Sequence, residues 1–316
     1  MTLSEISKKI IDAKSVAVFF HVRPDGDSVG SALAMYRALK CLGKKVDVIC
    51  ADSIPSRFDF LPDINSIRHD VSGNYDLMIA LDCADVERIG ELAYDFSVFK
   101  NTVNIDHHVS NTRFAKYNYI TDTSSNCENV YKIIKELGVT PDKDMANLLL
   151  MGILTDTGNF VHKNVTSETL YVAGEMVGFG ADINDISYRM FSVQTKARAK
   201  LFGITMSKIK YFLDDRLAIA TVFNRDLKET CAKRDETEGF IDFIMGIEGV
   251  KVGIILCEMD NGSFKVSLRS NGPDVSKVAE LYGGGGHVLA SGCQISGDYY
   301  EVVDKLVSSV SRFSED

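Results

Sequence analysis

Near its amino terminus the chain carries an unbroken apolar run, Ser15–Phe20, which is followed by a polar turn, 21–27, and a helical pattern, 28–42. A run without polar alternation is typical of a strand that is buried on both faces, as in a parallel sheet. Further apolar runs at 45–50, 76–81 and 101–105 alternate with helical patterns. This alternation predicts an α/β domain with a mainly parallel sheet flanked by helices.

A second pattern begins after the polar, basic segment 194–200. Asp260-Asn261-Gly262 between two apolar runs is a hairpin signal, which indicates a smaller α/β domain with a mixed or antiparallel sheet. The elements predicted there are the strands 217–223, 250–258 and 263–269 and the helices 236–246, 275–282 and 299–311. The other helices predicted in the first domain are 3–13, 126–137, 142–155, 167–178 and 183–190. We expect a first domain at 1–190, a linker helix at 191–210 and a second domain at 211–316.

The composition limits the classes of partner. With 44 acidic and 35 basic residues the chain has a net charge of -9, so a long basic track for nucleic acid is not expected. Its seven cysteines form no Cys-x-x-Cys pair, which argues against a disulfide framework or a zinc ribbon. We find no apolar run of the length needed for a signal peptide or a bilayer span. A reduced, cytoplasmic enzyme fits these observations.

Three side chains that can bind metals share the turn after the first strand. His21, Asp25 and Asp27 surround Pro24 and Gly26, which force a tight turn and allow the three to point towards one place. In a purely structural interpretation Asp27 is the helix N-cap, Asp25 a turn former and His21 a polar strand end. That interpretation requires three separate coincidences in one turn.

Three more clusters follow predicted strands or a helix. Asp82 ends a buried strand, and Asp106-His107-His108 ends the next one, where open α/β sheets place their active sites. Asp156 ends a long apolar helix, where the helix dipole disfavours a carboxylate by some tenths of a kcal/mol. A cation would offset that charge. Asp85, by contrast, is expected to cap a short helix or to be solvated.

Carboxylates with imidazoles and no thiolates suit Mn²⁺ or a comparable divalent ion. The six candidate ligands exceed what one ion takes from side chains, whereas two ions sharing a bridging Asp satisfy the count. Two ions about 3.5–4 Å apart suit in-line displacement at phosphorus and acidify a water for attack.

Five segments resemble the motifs of one known family. The segment 21–31 (HVRPDGDSVGS), the strand end at Asp82, the triplet 106–108 (DHH) and the segment 155–158 (TDTG) are similar, in this order, to the four motifs of the DHH phosphoesterases. The segment 267–270 (SLRS) with 283–287 (GGGGH) resembles their DHHA1 substrate-binding domain. The resemblance spans essentially the whole chain, and the two-domain form is most similar to the nanoRNase/pAp phosphatase proteins.

The resemblance implies a role for each catalytic-domain residue. One metal would be bound by His21, Asp25 and Asp82, and the second by Asp27, Asp82, His107 and Asp156, so that Asp82 is the bridge. His108 would face the scissile phosphate, and Asp106 would orient a neighbouring histidine.

The resemblance also implies a substrate site in the second domain. Arg269 and Ser270 would hold a terminal phosphate or the sugar-phosphate backbone. Backbone amides of Gly284, Gly285 and Gly286 would approach the substrate, and His287 would add a polar contact. A glycine run can also be only a flexible surface loop.

From the resemblance we expect a Mn²⁺-dependent phosphohydrolase that cleaves very short oligoribonucleotides to mononucleotides and converts pAp to AMP. A c-di-AMP or pApA phosphodiesterase needs the same chemistry and is the alternative, and a non-catalytic nucleotide sensor is a third interpretation. The net negative charge of the chain argues against a processive exonuclease. The GGGGH segment argues against an inorganic pyrophosphatase. The expected partners are short RNA or dinucleotides and pAp, with no membrane. The sequence leaves the oligomeric state open, a homodimer included.

Overall fold

The computed structural model describes residues 1–313, and the chain divides into two compact units, Met1–Val193 and Gln194–Asp316. The strands of the first unit are β1 (Ser15–Phe20), β2 (Lys45–Ile49), β3 (Ile67–Arg68), β4 (Leu77–Leu81), β5 (Thr102–Asp106) and β6 (Tyr117–Ile120). Its α-helices are α1 (Leu3–Asp12), α2 (Gly26–Cys41), α3 (Ala93–Val98), α4 (Asn126–Glu136), α5 (Lys143–Asp156), α6 (Ser167–Gly178) and α7 (Ile183–Ser187). Shorter 3-10 and π-helical segments are Ser56–Phe58, Ile64–Ser66, Val86–Leu92 and Tyr188–Ser192.

The first sheet is entirely parallel, with the strand order β3-β2-β1-β4-β5-β6. The predicted parallel sheet is therefore confirmed. Strand β3, of two residues, and the half-exposed β6 were not predicted, because neither segment carries a continuous apolar run. The order reverses between β1 and β4, and such a switch point opens a crevice at the carboxyl ends of the strands.

Both faces of this sheet are covered, which explains the unbroken apolar run of β1. Val16 and Val18 pack into the larger core formed with α1, α2, α4 and α5. Ala17 and Phe19 point the other way, into a smaller core that includes Phe96 of α3. Because neighbouring strand residues alternate between faces, a strand with helices on both sides has no polar face.

Helices α2 and α5 pack closely against each other on the face of the sheet that carries the larger core. Two glycines allow this approach. A Cβ on Gly30 of α2 would lie 2.4 Å from the carbonyl oxygen of Leu148 in α5, and one on Gly152 of α5 would lie 2.7 Å from Oδ1 of Asp27 in α2. Gly152 lies inside α5, so its role is close packing, whereas Gly158, at φ +55°, accounts for the end of the helix.

The second unit contains a mixed sheet, as predicted, with the order β11-β12-β10-β9-β8-β7. Its strands are β7 (Lys210–Phe212), β8 (Leu217–Val222), β9 (Val252–Glu258), β10 (Ser263–Ser270), β11 (Gly285–His287) and β12 (Ala290–Ser296). Its helices are α8 (Lys196–Met206), α9 (Asn224–Thr230), α10 (Phe240–Met245), α11 (Val275–Glu280) and α12 (Tyr299–Phe313), with a 3-10 turn at Arg234–Thr237. Strands β8 and β9 pair in parallel, and the other pairs are antiparallel.

Two expectations for this unit need revision. The helix predicted at 236–246 is interrupted, because Gly239 takes a left-handed conformation between the 3-10 turn and α10. The glycine run 283–286 is not simply a loop, since its second half pairs with β12 as β11.

Within the segment 191–210, α8 packs Leu201, Phe202 and Met206 into a core of the second unit. Between residues 1 and 313 no helix combines the length and apolarity that a bilayer crossing requires.

Candidate metal centre

The polar clusters of the first unit meet at the switch point of its sheet. His21 directly follows β1, Asp82 directly follows β4, and Asp106 is the last residue of β5. These strands are neighbours in the order β1-β4-β5, and all run parallel, so their carboxyl ends form one edge. Chain direction and strand order together therefore place three separate segments at one site.

The two aspartates of the first turn have different roles from those of the structural interpretation. Asp25 is the N-cap of α2, since its Oδ1 accepts the N–H of Ser28 at 3.0 Å. Asp27 lies in the first turn of α2, fully buried, and accepts the N–H groups of Asn126 and Cys127 at 2.5 and 2.9 Å. The start of α4 thus holds the Asp27 carboxylate in place.

Asp82 lies at the centre of the cluster. Its Oδ2 is 3.5 Å from Nε2 of His21, and its Oδ1 is 3.4 Å from Nε2 of His107. The residue is 2% exposed, and its backbone is left-handed, with φ 58°. A non-glycine residue in this region carries backbone strain, which persists where the surroundings hold it and is frequent at active sites.

Two groups of ligand atoms lie on either side of Asp82. On one side, Nε2 of His21 is 3.4 Å from Oδ2 of Asp25. On the other, Nε2 of His107 is 3.4 Å from Oδ2 of Asp156 and 3.9 Å from Oδ2 of Asp27. The structure thus brings all six predicted metal ligands together. They form two groups, His21 with Asp25 and Asp82 and Asp27 with His107 and Asp156, and the ligand atoms within each group lie within 4.8 Å of one another. A third such group joins Asp82 and His107 with Asp106 and His108.

The distances in this cluster fit ligands around a cation better than hydrogen bonds. Charge-assisted N–H···O contacts are about 2.7–2.9 Å long, whereas these lie at 3.4–3.9 Å. Within the described residues, Nε2 of His21 and Oδ1 of Asp82 are buried and have no hydrogen-bond partner. Buried polar atoms are normally paired, so both atoms need a partner that the chain does not supply.

The Nδ1 atoms of His21 and His107 already have hydrogen-bond partners in the backbone. Nδ1 of His21 lies 2.8 Å from the carbonyl oxygen of Val22, and Nδ1 of His107 lies 3.0 Å from that of Thr123. Each carbonyl favours a proton on Nδ1 and leaves the lone pair of Nε2 pointing into the cluster. Histidines that bind metals are oriented in this way.

The electrostatics of the cluster favour added positive charge. Burial alone would lower the pKa of His21 and of His107, but the adjacent carboxylates, above all Asp25 and Asp82 for His21 and Asp82 for His107, raise each pKa to about 10. Burial and the charges of Asp27 and Asp82 raise the pKa of Asp156 to about 8. Without a cation, the site therefore retains protons at neutral pH. The carboxylate and imidazole ligands, together with these raised pKa values, fit a site for divalent ions.

His108 lies beside the cluster, held by a buried network. Its Nδ1 is 2.8 Å from Oδ1 of Asp106, and Oδ2 of Asp106 accepts Nδ2 of Asn111 at 2.6 Å. Asn111 also donates to Oδ1 of Asn104 at 2.8 Å. Sequence reasoning missed both asparagines. Asn104 offered a signal, because a polar amide inside a buried strand requires a partner.

The predicted substrate residues lie on the second sheet. Arg269 pairs with Ala290 across β10 and β12, and His287 pairs with the same alanine across β11 and β12. Arg269 and His287 are exposed, while the Ser270 hydroxyl is buried without a partner in the described chain. Gly285 and Gly286 belong to β11, and a Cβ on Gly286 would lie 2.6 Å from the Ala290 carbonyl oxygen. The Gly284 N–H donates to the Ala279 carbonyl.

Comparison with known proteins agrees with this arrangement. Residues 15–153 match the DHH family, N-terminal domain, and residues 214–316 match the DHHA1 domain. The bifunctional oligoribonuclease and PAP phosphatase NrnA of Thermus thermophilus is 33% identical over 296 residues, covering 92% of this chain and 87% of that protein. The protein of the same name from Bacillus subtilis is 24% identical, with 99% of both chains covered.

Among solved structures, an exopolyphosphatase-related protein from Bacteroides fragilis superposes with a TM-score of 0.88 at 25% identity. The match covers 99% of this chain and 96% of that one. Both units, and not the catalytic fold alone, are therefore shared with known relatives. The chain belongs to the DHH/DHHA1 phosphoesterase family.

Proposed function

We propose that this protein is a metal-dependent phosphohydrolase that degrades very short oligoribonucleotides to mononucleotides and removes the 3′-phosphate of pAp. The observation that carries the proposal is the convergence of His21, Asp25, Asp27, Asp82, His107 and Asp156 at the sheet switch point. The names of the two NrnA relatives give the substrate class. All seven cysteines are free thiols, which supports action in the reducing cytoplasm.

In this proposal two divalent ions, of which Mn²⁺ fits the carboxylate and imidazole donors best, share Asp82. His21 and Asp25 complete one ligand set, and Asp27, His107 and Asp156 complete the other. When bound, such a pair of ions supplies Lewis-acid stabilisation of phosphoryl charge and lowers the pKa of water. The chain itself holds the ligands, fixes the tautomers of His21 and His107 and buries the carboxylates of Asp27 and Asp82.

His108 is proposed to act on the substrate directly. Asp106 holds its Nδ1, so Nε2 is free to donate to a phosphoryl oxygen or to the leaving oxygen. Burial opposes charge on His108, but the Asp106 contact raises its pKa above the ordinary value. A protonated imidazole beside the scissile phosphate stabilises the negative charge of the transition state.

Arg269, Ser270 and His287 are proposed to hold the non-scissile part of the substrate. Arginine binds phosphate through two parallel N–H···O contacts, and exposed Arg269 has no carboxylate partner in the described residues. Close approach of backbone to substrate is supported at Gly285 and Gly286, where no side chain intervenes.

The c-di-AMP or pApA phosphodiesterase alternative is not favoured, since the full-length relatives described above carry oligoribonuclease and PAP phosphatase names. The sensor interpretation lacks support, since every proposed ligand is present and converges. The deciding experiment incubates the purified protein and Mn²⁺ with short RNA, pAp, pApA, c-di-AMP and pyrophosphate. Mononucleotides from short RNA together with AMP from pAp support the proposal, whereas turnover of c-di-AMP alone contradicts it.

A further inference from the structure

The two proposed ligand sets are held in place in different ways. His21 and Asp25 take their hydrogen bonds from neighbouring residues of the same turn. The second ligand set, which is Asp27, His107 and Asp156, is drawn from α2, the end of β5 and the end of α5. These segments are far apart in the sequence, so the second ligand set requires a common support.

One short segment, residues 123–128, is connected to every member of the second ligand set. The carbonyl oxygen of Thr123 lies 3.0 Å from Nδ1 of His107. Two backbone N–H groups at the start of α4 donate to the Asp27 carboxylate. The segment therefore orients both of these ligands through atoms that do not themselves bind metal.

Asn164 connects the same segment to the third ligand. Its Nδ2 donates to the carbonyl oxygen of Ser124 at 3.1 Å and to that of Asp156 at 3.2 Å. Asp156 is the last residue of α5, so its carbonyl has no partner within the helix and can accept this bond. The side chain of Asn164 thus joins the end of α5 to the segment 123–128.

A buried glutamate supports this segment on the side of α6. Glu128 is 1% exposed, and its Oε1 accepts hydrogen bonds from the Ser124 hydroxyl and, at 3.1 Å, from the hydroxyl of Thr169 in α6. Both lysines of α4 form their ion pairs with glutamates of α6 instead. A buried carboxylate with only hydroxyl partners is costly, although its place in the first turn of α4 offsets part of its charge.

We propose that Glu128 and Asn164 are positioning residues that determine how tightly the second ligand set binds its metal ion. Neither side chain forms a hydrogen bond with a metal-binding atom, since both act through the segment 123–128. The inference rests on the proposed metal centre and assigns the two residues to one of its two sites. Loss of either side chain should weaken that site and leave the site at His21 and Asp25 intact.

The test measures Mn²⁺ binding without substrate for the parent protein, Glu128→Ala and Asn164→Ala. Calorimetry gives the affinity of each site, and electron paramagnetic resonance distinguishes two coupled ions from an isolated one. In both variants we expect one site to lose about 10- to 100-fold in affinity while the other keeps its parent value. The spectrum of the coupled pair should then give way to that of isolated Mn²⁺. Asn164 is exposed, so its variant keeps the test decisive if Glu128→Ala folds poorly.

Three control variants separate positioning from general stability. Glu128→Gln keeps an oxygen that can accept both hydroxyls, so it should bind both ions as the parent does. Asp142→Ala removes the N-cap at the other end of α5 and should lower the urea midpoint without changing either Mn²⁺ affinity. Asn184→Ala removes an exposed amide from α7, matches Asn164→Ala in chemistry, and should have no effect on Mn²⁺ binding.

Parent affinities at both sites in Glu128→Ala and Asn164→Ala would overturn the inference. An equal loss at both sites would overturn it as well, because the support would then belong to the whole fold. The same holds for a loss in Glu128→Gln as large as that in Glu128→Ala, since the hydrogen bonds would not be the cause. A parent protein that binds no Mn²⁺ contradicts both the metal centre and this inference.

The binding readout keeps this result separate from the proposed function. A parent protein that binds two ions but cleaves neither short RNA nor pAp contradicts the proposed function. The site-specific loss of Mn²⁺ affinity in the variants would still decide the positioning inference.

Discussion

Oδ1 of Asp106 lies 2.8 Å from Nδ1 of His108, and the carboxylate is fully buried while the imidazole is about one-third exposed. The contact fixes the tautomer of His108 and leaves its Nε2 free. It also raises the pKa of His108, against the opposing effect of burial. A buried aspartate thus sets both the orientation and the charge of an accessible histidine.

We predict that Asp106→Asn lowers kcat by roughly 10- to 100-fold with little change in KM, because His108 loses the negative charge that orients it and favours its protonated form. The pKa of His108 should fall towards the ordinary value near 6.5. Since the charged form is proposed to act, the alkaline limb of the pH profile of kcat should move to lower pH. Steady-state rates between pH 5 and 10 measure both effects. An unmoved limb would show that Asp106 only stabilises the fold.

The raised pKa values predict proton release when metal binds. At pH 7 His21 and His107, with pKa values of about 10, are protonated in the metal-free protein, and Asp156, at about 8, is mostly protonated too. Ligands bind metal in their deprotonated form, so affinity should rise with pH towards about 10. Calorimetric titration with Mn²⁺ in buffers of different ionisation enthalpy measures the released protons. Binding heats that do not depend on the buffer would contradict this assignment.

Gly152 offers a test of how helix packing supports the site. A Cβ there would lie 2.7 Å from Oδ1 of Asp27 as well as 2.2 Å from the sulfur of Cys127. Gly152→Ala should therefore destabilise the protein by about 1–3 kcal/mol and weaken Mn²⁺ binding. Urea unfolding of the metal-free protein and a Mn²⁺ titration measure the two effects.

The matched control is Gly174→Ala on α6, where the added methyl group meets no atom within 4 Å. It should leave Mn²⁺ affinity unchanged and stabilise the helix by up to about 1 kcal/mol. Equal effects of the two substitutions would show that α2 and α5 adjust without disturbing Asp27.

Arg269 is predicted to contribute to the hydrolysis of nucleotide substrates but not to that of a small phosphodiester. Arg269→Ala should lower kcat/KM for pAp and short RNA at least about tenfold, because a bidentate phosphate contact is lost. Hydrolysis of bis(p-nitrophenyl) phosphate, which lacks a second phosphate, should be unaffected. Arg216→Ala removes another exposed arginine of the same unit and should leave all three rates unchanged. Equal losses on every substrate would make Arg269 a structural residue.

The general position of the site follows from sequence because parallel strands share a direction. A polar residue directly after a buried apolar run, as at His21, Asp82 and Asp106, must lie at the carboxyl edge of such a sheet. Strand order was not needed for that inference. The order became necessary only to bring the three ends together at the switch point.

The individual roles within the site depend on long-range contacts that no local pattern contains. Asp25 and Asp27 are equally good N-cap residues by type, and only the amides of Asn126 and Cys127 give Asp27 its role. The function of Gly152 likewise depends on how α2 crosses α5. Local propensity predicts a helix or a turn, but not which distant atoms it meets.

Asp82 is the residue on which the two-metal account depends, because it lies between the His21 and His107 groups. The most direct test measures bound Mn²⁺ by native mass spectrometry, together with pAp hydrolysis, for the parent protein, Asp82→Ala and Asp85→Ala. Asp85 caps a short 3-10 helix through the N–H of Arg88, so its removal should cost about 1 kcal/mol of stability and no activity. We predict two ions in the parent protein and in Asp85→Ala, and fewer than two ions with no hydrolysis in Asp82→Ala. Two ions and near-normal turnover in Asp82→Ala would contradict the account.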